Sequence, residues 1–142
     1  MHQGIGNERA KAVFHTHQEF GTTLACSAKN YIFQMIHHNS ARFYNSIIYD
    51  REFSGLADSF KEGVRISNKL KSADPRYRVL LQKHHGVFVI GPCASIAFDD
   101  VYWLEKACKV QVELQRAGED PKKCIMDKKS AEHVYQQAVD RS

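Results

Sequence analysis

Two short stretches carry the residues best suited to chemistry: Val13-Phe14-His15-Thr16-His17 near the start and Lys83-His84-His85-Gly86 far downstream. On an extended segment, side chains at i and i+2 leave the same face, so His15 and His17 can converge on one ion while Thr16 points away. A third imidazole would complete a facial set. Three protein nitrogens around a Zn²⁺-like ion leave a coordination position open, which a catalytic metal needs and a four-ligand structural site lacks.

Spacing alone is a weak signal. With 8 His in 142 residues, chance supplies roughly half a His-x-His per chain, and the competing reading is a set of unrelated loop and core histidines. Context adds weight. The apolar run Ala12-Val13-Phe14 precedes the pair, and His85 sits between two strand-like runs beside Gly86. Neutral imidazoles accept Zn²⁺, Mn²⁺, Co²⁺ or Fe²⁺, so the ligand type is better specified than the metal.

The chain that must position these groups suits one domain over residues 1–142, long enough to bury about two thirds of its unfolded surface. An apolar share of 43% with 25% charged residues is ordinary for a globular protein. The formal charge of +4 arises from 20 basic and 16 acidic side chains without a block of like charge, which predicts a solvated surface and no nucleic-acid partner. No apolar run approaches the about 18 residues of a membrane span, and no secretory leader is visible; a cytoplasmic protein without a membrane partner is expected. Cys26, Cys93, Cys108 and Cys124 form no C-x-x-C pair and are expected as reduced thiols, Cys26 and Cys108 as small buried apolar groups.

Along the chain, residues 11–17 read as a strand, 22–30 as a short helix, 31–36 as a strand rich in aromatic and β-branched residues, and 42–49 as a weaker strand. An S-x-x-E capping box at Ser59 and Glu62 predicts a helix over 60–71, ended by Asp74-Pro75. Residues 77–82 and 87–90 read as strands flanking a short bend, which puts His85 at a strand end. A long helix over 95–117 would present Ala97, Val101, Leu104, Cys108 and Gln111 on one face and stop at Gly118. Phe98, Tyr102 and Trp103 on it are expected to pack on the sheet or a neighbouring subunit. Residues 130–140 give a weaker helical pattern. Together these predict a mixed α and β domain with helices covering a sheet.

Three segments, AVFHTH at 12–17, LLQKHHGVFVIG at 80–91 and AFDDVYWLEKACKVQ at 97–111, resemble the class II aldolase and adducin head-domain family in order, spacing and flanking residues. The likeness extends through Arg42-Phe43-Tyr44 and Tyr49-Asp50, where it runs towards the aldolase branch. It implies a three-layer α/β/α fold with a largely antiparallel central sheet, commonly assembled into homo-tetramers with active sites at subunit interfaces. Residue by residue, it implies His15, His17 and His85 as metal ligands, with His84 the competing choice. The family's glycine directly follows its ligand, as Gly86 follows His85. The implied ion is a divalent metal, usually Zn²⁺. The implied activity is retro-aldol cleavage, a lyase reaction on a small hydroxy-carbonyl substrate through a metal-stabilised enediolate. The same electron sink supports epimerisation or decarboxylation, and the adducin branch uses the fold as a non-catalytic interaction or cytoskeletal module.

The resemblance also exposes a mismatch. Family enzymes carry an acid/base glutamate and a Gly/Asn/Ser phosphate-binding loop well upstream of the strand histidines, whereas 14 residues precede His15 here. An N-terminally incomplete domain without an identified acid/base residue is therefore expected. Glu8 and Glu19 are the carboxylates at hand and read as solvent-exposed. His38, with Tyr44 and Tyr49, is weighed as a proton donor at an interface against a surface or packed role.

Overall fold

β3 (Val79–Gln82) and β4 (Gly86–Gly91) are buried at every position and form the middle of a four-stranded sheet, flanked by β1 (Ala12–Thr16) and β2 (Ile47–Asp50) in the order β1-β4-β3-β2. The structure, a computed structural model, describes residues 10–29, 32–52, 55, 60–71 and 74–140. β4 pairs antiparallel with both β1 and β3, while β2 and β3 run parallel. Parallel neighbours need a crossover, and α3 (Phe60–Lys71) lies between β2 and β3 in the chain. The sheet is thus largely antiparallel, as the resemblance implied.

Strand alternation divides the core in two. Val79, Leu81, Val87 and Val89 face a cluster with Leu24 of α1 (Glu19–Cys26) and Val101, Leu104, Ala107, Cys108 and Val112 of α4 (Ala94–Arg116). On the other face Leu80, Phe88 and Ile90 pack against Ile66 and Leu70 of α3. Helices on both faces make the three-layer α/β/α arrangement. The short α2 (His38–Ala41) and α5 (Lys128–Asp140) complete the described helices, with one 3-10 turn at Pro121–Lys123.

The long helix buries the face its sequence predicted: Ala97, Val101, Leu104, Cys108 and Gln111 are all buried. It ends where expected. Gly118 takes φ +84°, its N–H donating to Gln115 and that of Glu119 to Leu114, so carbonyls of the last turn are satisfied. The thiols of Cys26, Cys93, Cys108 and Cys124 are unpaired, and burial pushes that of Cys108 well above its usual range. Cys26 is only half-buried.

Three expectations need correction. Residues 32–36 form no strand, because their backbone groups pair with side chains and with isolated backbone groups instead of a neighbouring strand, the Met35 carbonyl accepting from Met126 N–H at 2.9 Å. Phe33 N–H donates to the Tyr49 hydroxyl at 2.9 Å, Gln34 N–H donates to Gln111 Oε1 at 2.7 Å, and Gln111 Nε2 donates to the Ile32 carbonyl at 2.9 Å. The helix expected over 22–30 begins earlier, at Glu19, and ends at Cys26. Glu105 of α4 explains the earlier start, since its carboxylate accepts from Phe20 N–H and Gly21 N–H, both at 2.9 Å, and so caps α1 from a distance. The Arg42–Tyr44 end of the weaker strand is a turn, and the strand proper is Ile47–Asp50. Ser59 of the expected capping box lies outside the described residues.

Candidate metal centre

The antiparallel register sets His15 opposite Phe88, and the two rings stack with centroids 4.1 Å apart and 15° between planes. His17 follows two residues on, just beyond the end of β1, and returns to the same side. His85 comes from the β3–β4 hairpin. Its N–H donates to the Gln82 carbonyl at 3.3 Å, while His84 takes the left-handed position of the turn with φ +60°. That division of labour turns His84 outward and exposed, and brings His85 in.

The result is a convergence of three imidazoles. His15 Nε2 lies 3.1 Å from His85 Nε2 and 3.0 Å from His17 Nε2, and one ligand atom from each of the three residues falls within 4.8 Å of the other two. Metal–nitrogen bonds of about 2.0–2.1 Å separate neighbouring ligands by about 3.0 Å at right angles and about 3.4 Å in a tetrahedron. The observed separations are close to that range. His15 and His17 are exposed and His85 half-buried, so the cluster opens to solvent on one side.

Protonation decides what such closeness means. The Val87 carbonyl lies 3.0 Å from His15 Nδ1 and can only accept, so that nitrogen carries the proton and Nε2 presents a lone pair. At His85, Nδ1 meets Gln82 Oε1 at 2.8 Å. The orientation of that amide is chemically determined, because its Nε2 donates to Glu62 Oε1 at 2.9 Å and to Asp50 Oδ2 at 3.4 Å, both of which can only accept. His85 Nε2 is therefore also a bare lone pair. Two acceptors facing each other at 3.1 Å repel unless a cation lies between them. Burial lowers the His15 imidazole below its ordinary value, opposed by the Val87 carbonyl and reinforced by the other two rings. Burial likewise lowers His85, with His17 lowering it further and Glu62 opposing. Protonation is thus disfavoured as the source of that positive charge, and the donor set fits a borderline divalent ion that takes neutral nitrogen ligands.

Behind the imidazoles stands a charged cluster that composition and motif did not reveal. Asp50 at the end of β2 is buried and receives Arg65 Nη2 at 2.6 Å, Arg65 Nη1 at 3.0 Å and Lys69 Nζ at 2.6 Å. Arg65 also donates to Glu62 through Nε at 2.8 Å and Nη2 at 2.6 Å. Gln82, fully buried, links this cluster to His85. The one available sequence signal was a polar residue ending the otherwise apolar strand Val79–Gln82.

The other residues singled out in the sequence fall elsewhere. Glu19 is exposed in the first turn of α1, Glu8 lies outside the described residues, and among those described no carboxylate or thiol joins the three nitrogens. His38 is exposed and lines a cavity of about 520 Å³ with Arg42, Asp99 and Trp103, apart from the imidazole cluster. Tyr49 is largely inside. Burial pushes its hydroxyl up to about 12 despite the opposing hydrogen bond from Phe33, whose N–H it accepts at 2.9 Å. Tyr44 lines a second, more apolar cavity together with Phe33, Met35, Phe43 and Tyr77.

Comparison with known proteins agrees with this architecture. The family model for the class II aldolase and adducin N-terminal domain matches residues 1–112. Human beta-adducin is 30% identical over 121 residues, covering 83% of this chain and 16% of that protein. Among solved structures, an aldolase II superfamily protein from Pseudomonas syringae superposes with a TM-score of 0.75 at 22% identity, over 97% of this chain and 51% of the other. An L-fuculose 1-phosphate aldolase from Glaciozyma antarctica PI12 gives a TM-score of 0.69 at 19% identity, over 96% of this chain and 48% of the other. The chain thus spans about half the length of these solved structures and a much smaller part of beta-adducin.

Proposed function

Since the chain belongs to the class II aldolase and adducin family, we propose that His15, His17 and His85 hold a divalent metal ion, Zn²⁺ by preference, in a centre for lyase chemistry. The observation that carries this reading is the pair of bare Nε2 lone pairs on His15 and His85, 3.1 Å apart with both Nδ1 protons committed elsewhere. Bound there, the ion would supply a Lewis acid for the carbonyl and hydroxyl oxygens of a small hydroxy-carbonyl substrate. The chain's own residues do the rest of the positioning. The Val87 carbonyl orients His15, Phe88 packs flat against its ring, and Gln82 orients His85. The open side of the cluster leaves room for a substrate. We further place the protein in the cytoplasm as a homo-oligomer, a tetramer by family resemblance, with exposed Phe98 and Tyr102 on α4 as apolar surface available to a subunit contact. No described helix is long and apolar enough to cross a membrane.

The match to beta-adducin favours a second reading, in which the same fold serves as a non-catalytic interaction module. A metal titration of the purified protein together with a retro-aldol assay separates the two. Stoichiometric Zn²⁺ lost on His17→Ala, with cleavage of a hydroxy-carbonyl substrate, supports the lyase. Stoichiometric metal without turnover supports the module. Unchanged metal content in His17→Ala refutes the three-histidine site itself.

A further inference from the structure

We propose that Gln82 is the positioning residue that fixes His85 in its metal-competent tautomer, held in that role by the buried Asp50–Glu62–Arg65–Lys69 cluster. The inference rests on the three-histidine reading above and extends it inward by two shells of hydrogen bonds.

A neutral imidazole has two tautomers, and only the one protonated on Nδ1 offers Nε2 to a metal. For His15 the choice is made by a backbone carbonyl, which has no alternative orientation. For His85 it is made by a side-chain amide, which has two. A primary amide facing Nδ1 through oxygen accepts a proton and selects the competent form; facing it through nitrogen, it would donate and select the wrong one. The Gln82 amide is therefore useful only if its flip is blocked.

Two carboxylates supply the block. Gln82 Nε2 donates to Glu62 Oε1 at 2.9 Å and to Asp50 Oδ2 at 3.4 Å, so a flipped amide would set its carbonyl oxygen against two acceptors in a site with no solvent exposure. Arg65 and Lys69 keep those carboxylates charged and fixed, Arg65 by bridging Asp50 and Glu62 through one nitrogen at 2.6 Å to each. The path is continuous: α3 cations, two carboxylates, one amide, one imidazole. It also accounts for a buried amide at the end of a strand whose other residues, Val79, Leu80 and Leu81, are apolar. A residue with packing duties alone would have no need of that polarity.

Long-range ¹⁵N–¹H correlation spectra of the metal-free chain of residues 1–142 read the tautomer directly. The expected result is His85 protonated on Nδ1 in the wild type, a mixture or the opposite tautomer in Gln82→Met, and recovery of the Nδ1–H form in Gln82→Glu, where a carboxyl kept protonated beside Glu62 and Asp50 donates through its hydroxyl and accepts from His85 through its carbonyl oxygen. Zn²⁺ affinity, measured by competition with a chelating dye, should fall about 10–100-fold in Gln82→Met and return towards wild type in Gln82→Glu. A wild-type His85 carrying its proton on Nε2 overturns the proposal, as does a folded Gln82→Met with unchanged tautomer and unchanged affinity. Should Gln82→Met not fold, the wild-type spectrum and Gln82→Glu still decide. A wild type that shows the Nδ1–H form yet binds no Zn²⁺ sinks the metal reading while leaving the positioning role standing, so the two failures are distinguishable.

Discussion

Gly86→Ala offers the strictest test of how the hairpin serves the site. A Cβ built on Gly86 would lie 2.5 Å from the Thr16 carbonyl oxygen and 2.7 Å from His17 Cδ2. Ordinary carbon–oxygen approach is about 3.3 Å or more, so relief requires a shift of about 0.8 Å. The carbonyl belongs to the backbone of β1, where Thr16 is paired with Val87 and cannot rotate away. The end of β1 must therefore move, and His17 with it. Metal–ligand distances tolerate about 0.2 Å, roughly a quarter of that displacement. The substitution should cost about 1–3 kcal/mol by overpacking, which for a domain of this size lowers Tm by roughly 3–12 °C. Zn²⁺ affinity should fall at least about 10-fold, as expected when a ligand's support is lost. Circular-dichroism melts of the metal-free protein give the first quantity, and dye competition gives the second. A variant with wild-type Tm and wild-type affinity would refute the reasoning outright; a lowered Tm with intact affinity would show that His17 is not coupled to the strand end.

Two further outcomes follow from the same geometry. His84 and His85 are neighbours with opposite duties, so His84→Gly should leave Zn²⁺ affinity unchanged and, by relieving a left-handed φ of +60°, raise stability by up to about 1 kcal/mol, whereas His85→Ala should abolish tight binding; a metal titration showing the reverse would move the ligand by one residue. Burial alone would raise the Asp50 carboxyl, but hydrogen bonds from Arg65 and Lys69 outweigh it and hold it below the usual range. A carboxyl depressed in the folded state binds fewer protons than the unfolded chain, so stability rises with pH through that window. Its contribution is complete above the unfolded value of about 3.9 and drains away as pH falls through the lower folded value. Melting curves from pH 7 to pH 2 should show this loss in the wild type and a shallower dependence in Asp50→Asn, which should also be less stable at pH 7 by at most the about 3–5 kcal/mol of a broken buried pair, Arg65 and Lys69 being 25% and 31% exposed.

The fold was legible wherever a segment's own residues determine its partners. The stripe Ala97, Val101, Leu104, Cys108 and Gln111 defines a helix face by spacing alone, and the apolar runs around Lys83–Gly86 define a hairpin because the bend is short. Residues 32–36 carry an equally good local strand pattern, yet none of the described strands pairs with them. Their backbone partners include the side chains of Tyr49 and Gln111 and the N–H of Met126, groups of elements far away in sequence. The start of α1 was obscure for the same reason, since its cap is Glu105 and not the preceding Gln18, which makes no side-chain cap. Capping by a distant carboxylate leaves no trace at the N-cap position itself.

At the site, the division between legible and hidden follows the number of contacts that each role needs. A candidate ligand shows itself by residue type and by i, i+2 spacing, so His15 and His17 were visible as candidates, and the family resemblance singled out His85 by its following glycine. That glycine now has a steric cause, the close approach of β1. The groups that make the nitrogens usable are different in kind. Val87 acts through a carbonyl that any residue would supply, and Gln82 acts through an orientation imposed by Asp50 and Glu62, on a strand and a helix brought to it by the parallel β2–β3 pairing and by the packing of α3 on the sheet. The first contribution has no sequence signature, and the second has only a polar residue ending an apolar strand. Metal competence and catalytic competence are separable on the same grounds: the described residues supply three oriented nitrogens and their support, while proton transfer to a substrate demands a carboxylate or comparable group within hydrogen-bond reach of the open side, and among the described residues none joins the cluster. A binding module and a lyase would therefore share every feature from Gln82 to the three imidazoles and differ only in what faces them.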